Sequence, residues 1–197
     1  MPKYLLTVLA CAIAALALAA CGGSDSDSDD DEDQITTVIE ASVKPTDPAD
    51  CETYSTQAFL EQSESAEGEE AVAICEEDVK DSSNDPDSVE VSAVEVDGDA
   101  ATAEVAFTGG GFDQQAVAIS LVKEDGSWKL DSIDSFASFD RDAFVSSIET
   151  GFETAELTDE QMGCVGEALE AASDEELEAV ILDQDGEAAL IELVGDC

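Results

Sequence analysis

The 197 residues include 50 Asp or Glu against 6 Lys or Arg and no His, giving a formal net charge of −44. That balance excludes nucleic acid as a partner, because phosphate contacts need Lys and Arg, and it excludes docking to an anionic membrane through a basic patch. The absence of His removes the commonest general base and zinc ligand, while 44% hydrophobic residues still supply material for a core.

Residues 1–20 read as a secretory signal: Lys3, an apolar run over 4–17, then small residues. About 17 apolar residues is at the short limit for a membrane span, so an uncleaved transmembrane helix is the weaker reading. The run ends in Leu18-Ala19-Ala20-Cys21, which resembles a bacterial lipobox. In signals of that kind the Cys thiol is alkylated with diacylglycerol and the peptide is cut just before it. The resemblance therefore implies a lipid anchor at Cys21, with the bilayer as partner and two or three acyl chains holding firmly.

Seven of the ten residues over 24–33 are acidic. Such a run repels itself and cannot bury apolar surface, so residues 21–33 are expected to form an extended, flexible tether. Asp25, Asp27 and Asp29 have the alternating spacing of a calcium loop. However, Asp30 stands where Gly is needed and Thr36 where a bidentate Glu is needed, which leaves only diffuse cation binding.

Four Cys remain once Cys11 leaves with the signal and Cys21 carries lipid: Cys51, Cys75, Cys164 and Cys197. An even number in an exported chain reads as disulfides. Three pairings are open. Cys51–Cys75 and Cys164–Cys197 are favoured, because each pair lies within one compositional block and a strand-rich block separates them. With no C-x-x-C pair and no His, a metal site is not supported.

From residue 34 the period is helical. Ile35, Val38, Ile39 and Val43 share one face. Asp47-Pro48 is an N-cap signal for a second helix carrying Cys51, Tyr54, Ala58 and Phe59. After a polar loop over 63–68, a third helix over 69–79 places Val72, Cys75 and Val79 at spacings of three and four.

The period then changes to two. Val89, Val91 and Ala93 alternate, and Val94 and Val96 take the opposite parity, which predicts a bulge near Ala93. Asp97-Gly98-Asp99 predicts a turn. Ala101, Ala103, Val105 and Phe107 form a second strand; after Gly109-Gly110-Gly111, Val117, Ile119 and Leu121 form a third. Glu124-Asp125-Gly126-Ser127 turns the chain into Trp128-Lys129-Leu130, with Ile133 and Phe136 beyond. The fold class is thus α+β, helices on one face of an antiparallel sheet of about four strands.

This order, the valine-rich strand before Asp97-Gly98-Asp99-Ala100, and the ending Glu124-Asp125-Gly126-Ser127-Trp128-Lys129-Leu130-Asp131-Ser132-Ile133 resemble the nuclear transport factor 2-like, cystatin-like superfamily over residues 34–137. More narrowly, the chain is similar to small exported bacterial lipoproteins with that cone-shaped fold. The resemblance implies a sheet curled around a long helix, leaving an apolar cavity. Members of the superfamily include isomerases, dehydratases, ligand carriers and interaction domains, so fold alone does not settle function. Family isomerases use an Asp base with a Tyr or protonated Asp donor, for which Tyr54, Asp131 and Asp134 are the candidates here. Family dehydratases lean on a His, which this chain lacks. Packing at the rim is the simpler expectation for Tyr54, and packing in the core or at the rim for Trp128.

Residues 138–197 are expected to form a small helical domain. Phe144, Ile148 and Phe152 recur every four residues. Thr158-Asp159-Glu160-Gln161 and Ser173-Asp174-Glu175-Glu176 are capping boxes, predicting helices that bury Met162, Val165 and Leu169, then Leu177, Val180 and Ile181. A last helix holds Leu190, Ile191 and Val194. The block resembles Cys-bracketed helical segments at the ends of exported actinobacterial proteins, and at sixty residues a staple is physically sensible.

No catalytic constellation stands out. Ser and Thr nucleophiles lack a His base, the glycine triplet has no following Lys to bind phosphate, and acidic pairs are too abundant to single out a glycosidase dyad. The expectation is an anchored, non-enzymatic module with no cofactor. It would hold a small apolar ligand or face another envelope protein; a carboxylate-based isomerase or lyase, or a cation-binding module for high salt, are the alternatives. The acids divide as 7 over 24–33, 25 over 34–137 and 18 over 138–197, so acidity belongs mainly to the folded surface and predicts stability that rises with salt.

Overall fold

The computed structural model describes residues 25–80, 85–153, 158–183, 186–195 and 197. The signal segment and Cys21 lie outside them. Among the described residues, four helices precede a four-stranded antiparallel sheet and four helices follow it, an α+β fold.

Helix α1, Asp25–Ser42, begins inside the acidic run. The expectation of an extended tether up to residue 33 is corrected here. Acidic residues at a helix N-terminus are stabilised by the dipole, and the stripe of Ile35 and Ile39, both fully buried, fixes the helix on the sheet. The helix is further held by Asp31, whose Oδ1 accepts from Lys123 Nζ at 2.7 Å and from Trp128 Nε1 at 3.0 Å.

The expected second helix is two: α2, Asp50–Tyr54, and α3, Gln57–Ser63. Between them the chain is extended. Ser55 bridges Leu130 in parallel, and the Thr56 N–H donates to the Leu130 carbonyl at 2.8 Å. The edge of the sheet takes a partner at the cost of helix continuity, and the Thr56 hydroxyl then caps α3 by accepting from Phe59 N. The Asp47-Pro48 signal makes a turn instead of a helix start, with the Asp50 carboxylate accepting from the N–H groups of Thr46 and Asp47. Helix α4, Glu69–Asp78, matches its spacing. The Cys51–Cys75 disulfide joins α2 to α4 over a small satellite core with Leu60 and Ala71.

Strands β1 (Ser88–Asp97), β2 (Ala100–Thr108), β3 (Ala116–Glu124) and β4 (Ser127–Ser138) pair in sequence order. The register shifts between Ser92 and Glu95, with Ala93 at φ +49°, so the bulge is where the parity change places it. Three further shifts between β3 and β4 help curl the sheet. Asp125 and Gly126, at φ +51° and +83°, form the two-residue turn with both φ positive that suits strand twist. Ala101, Ala103, Val105, Val117, Ile119, Leu121, Trp128 and Leu130 point inward and are buried with Ile35 and Ile39.

Helices α5 (Arg141–Glu153), α6 (Asp159–Ala171), α7 (Asp174–Leu182) and α8 (Gly186–Val194) complete the chain. Both capping boxes form. Phe144, Val165, Leu169 and Leu177 are buried together, and Cys164 bonds Cys197, Cα to Cα 5.5 Å. Phe136, at the end of β4, packs against both this core and that of the sheet. Ile191, in the last helix, is 56% exposed. Two side chains fasten this segment at its start. The buried Gln115 exchanges hydrogen bonds with the Asp140 backbone, and Arg141 Nη2 donates to the carbonyls of Leu169, Glu170 and Ala172.

Candidate functional site

The curl of the sheet and the offset of α3 leave a hollow that the buried core does not fill. Its volume is about 300 Å³, at the small end for ligand sites. The sheet supplies Val105, Val117, Ile119 and Leu130; α1 and α3 supply Ile39 and Phe59; Phe107 and Phe112, ring centroids 5.3 Å apart, stand at the β2–β3 loop. A fourth wall comes from far along the chain, where Val180 and Ile181 of α7 face the same space.

Of the polar side chains on the lining, Ser42, Gln62 and Ser63 make bonds within the protein, and Ser65 is the fourth. Ser42 Oγ donates to the Ile39 carbonyl at 2.8 Å, and Ser63 Oγ lies within hydrogen-bond reach of the Leu60 carbonyl and Glu64 Oε1. Gln62 uses both ends of its amide: Nε2 donates to the carbonyls of Ile133 and Leu182, and Oε1 accepts from Ile133 N at 2.8 Å. Among the described residues, none on the lining is titratable. Glu64, just after Ser63, has its carboxyl pushed up by burial, offset by the Ser63 hydroxyl and reinforced by the Asp78 charge, but it is not part of the lining.

The three candidates for acid–base chemistry are not brought together. Tyr54 is half-buried in a shallow depression beside Thr37, Val38 and Trp128, away from the cavity. Asp131 accepts from Thr56 Oγ1 at 3.0 Å, and Asp134 is exposed, bonded to Ser120 and Ser132. None of the three lines the hollow. Trp128 is buried, with Nε1 on Asp31 and Lys123 Nζ 5.1 Å above its ring; it is a structural clamp. The hydrogen bond from Lys123, then that from Trp128, holds the Asp31 carboxyl below the usual carboxylate range despite some desolvation.

Cys51–Cys75 spans 6.2 Å between Cα atoms, with Cys51 buried beside Leu60 and Ala71. Neither disulfide lines the cavity. Sequence reading missed Gln62, a polar residue on an unremarkable helix, and missed the α7 wall, because Val180 and Ile181 look like any helical core pair. Asp31 was hidden among six other acids.

No curated protein and no solved structure matches the chain. Residues 31–136, more than half of the chain, span α1 from Asp31 through nearly all of β4 and match the family model described as the low molecular weight antigen MTB12, C-terminal domain. The chain belongs to that family.

Proposed function

We propose that the protein is an exported lipoprotein, anchored through acylated Cys21 to the outer face of a bacterial cell membrane. On this reading it is a non-enzymatic binding module whose cone-shaped, nuclear transport factor 2-like domain takes a small apolar ligand. The observation that carries the reading is the hollow of about 300 Å³ with aliphatic and aromatic walls and, among the described residues, no titratable group on its lining. Its Gln62, Ser42 and Ser63 side chains already donate within the protein, so they favour a ligand with little hydrogen-bonding demand. The field of a chain at −44 disfavours anions, so a neutral ligand is expected over a fatty-acid carboxylate. Export is supported by the signal-like residues 1–20, the disulfide pairs and the antigen description of the family. The isomerase alternative needs a carboxylate at the reacting atoms, and the described lining residues offer none.

A neutral naphthylamine fluorophore tests the cavity. Saturable binding at one site per chain, weakened by Val43→Trp and not matched by an anionic analogue, is the expected result. Binding that is absent or unsaturable would refute the carrier role. Mass spectrometry of membrane-derived protein tests the anchor, and an unmodified Cys21 thiol would refute it.

A further inference from the structure

The region that defines the family ends at residue 136, yet two of the cavity's lining residues, Val180 and Ile181, lie more than forty positions later. We infer that the C-terminal helical segment belongs to the binding site: α7 is the wall that sets which ligand the cavity accepts, with Gln62 as its fastening. The inference rests on the carrier reading above and adds the specificity-determining residues to it.

The apolar stripe of α7 serves the segment's own core along its length and the hollow at its later turn. Leu177, in the earlier turn, is fully buried in the segment's own core with Phe144, Val165 and Leu169. Val180 and Ile181, one turn on, are only half-buried: they pack against the edge of that same core and also line the hollow, as do Val117 and Ile119 of the sheet. Helix α7 packs on β4 and α3, and a single side chain joins all three. Gln62, on α3, holds both backbone groups of Ile133 on β4 and also donates to the Leu182 carbonyl at 3.1 Å. That carbonyl belongs to the last turn of α7, where no helical N–H remains to satisfy it. The end of α7 is therefore positioned from the cavity side, by a residue that itself lines the cavity.

A wall made of two branched side chains acts on ligand size. Enlarging one overfills a close-packed site, and shortening both leaves room for a longer molecule.

The test uses the exported chain with Cys21→Ser, so that acyl chains do not compete, and two neutral probes, a naphthylamine and the larger pyrene. Ile181→Trp is expected to weaken naphthylamine binding about tenfold. Val180→Ala with Ile181→Ala is expected to shift preference toward pyrene. Should Ile181→Trp fail to fold, the double alanine chain decides. If Val43→Trp, on the α1 side, blocks the probe while the α7 changes alter neither affinity nor size preference, the inference is overturned and the carrier reading stands. If Val43→Trp is also without effect, the probe is not in the cavity and both fall.

Discussion

Among the described residues, ten buried side chains of the sheet block, from Ile35 to Leu130, form one contiguous core, whereas the helical segment's core holds four: Phe144, Val165, Leu169 and Leu177. The larger core can leave a hollow of about 300 Å³ beside it and still hold its elements together. The smaller one is supplemented at its corners by two capping boxes, the Arg141 fork and the Cys164–Cys197 bond. Burial scales poorly with small size, so sixty residues need cross-links and caps where a hundred can rely on packing. The contrast bears on the hollow, because the less self-sufficient region supplies one of its walls through Val180 and Ile181, while the sheet supplies Val105, Val117, Ile119 and Leu130.

The largest expected effect comes from the disulfides. Replacing Cys164 and Cys197 by Ala removes a link across a separation of 33 residues, and chain entropy puts the loss near 4 kcal/mol. Hydrogen exchange should then show α5–α8 opening while β2 and β3 stay protected. The same change at Cys51 and Cys75, separated by 24 residues, removes nearly as much on that model, about 3.5 kcal/mol. It should loosen α2 and α4 without opening α5–α8. Equal, global unfolding in both cases would erase the distinction between the two regions.

A smaller effect is expected at the only arginine. Arg141→Met strips three donor contacts from the end of α6 and the ion pair with Asp174, at about 2 kcal/mol for charge-assisted bonds. Arg141→Lys should recover little of it, since an ammonium lacks the planar fork. Thermal melts of the three proteins, read at a segment reporter, check the order.

The smallest effect concerns the sheet block and pH. Asp31 is held below the usual carboxylate range by Lys123 and Trp128, so the unfolded chain binds its proton more readily than the folded one. Its contribution is present in full above the ordinary carboxylate pKa and is lost as pH falls through its own lowered value. Asp31→Asn should therefore melt earlier than the parent at neutral pH and converge with it in acid. A gap that persists unchanged at low pH would show that the carboxylate is not what fastens α1.

Much of the architecture was legible because it is local. Period-two alternation marked all four strands; the parity change at Ala93–Val94 located the bulge; Asp125-Gly126 fixed a turn that needs positive φ; and Thr158 and Ser173 announced their helices through contacts three residues long. The resemblance also pointed to a hollow under the curled sheet. What sequence left open depended on partners far along the chain. The acidic run reads as a self-repelling tether until Lys123 and Trp128, more than ninety positions away, meet Asp31. The apolar stripe across residues 51–59 reads as one helix until the free edge of β4 draws Ser55 and Thr56 into extended pairing with Leu130.

The sequence by itself determined the element types, the caps, the turns and the cysteine blocks, since each follows from backbone preference and side-chain spacing within a few residues. Only the tertiary structure decided where α1 starts, that the second helix divides, that Gln62 ties three elements together, and that Val180 and Ile181 close the cavity. Those are outcomes of which surfaces meet, and side chains of ordinary type carry no mark of the partner that burial will give them.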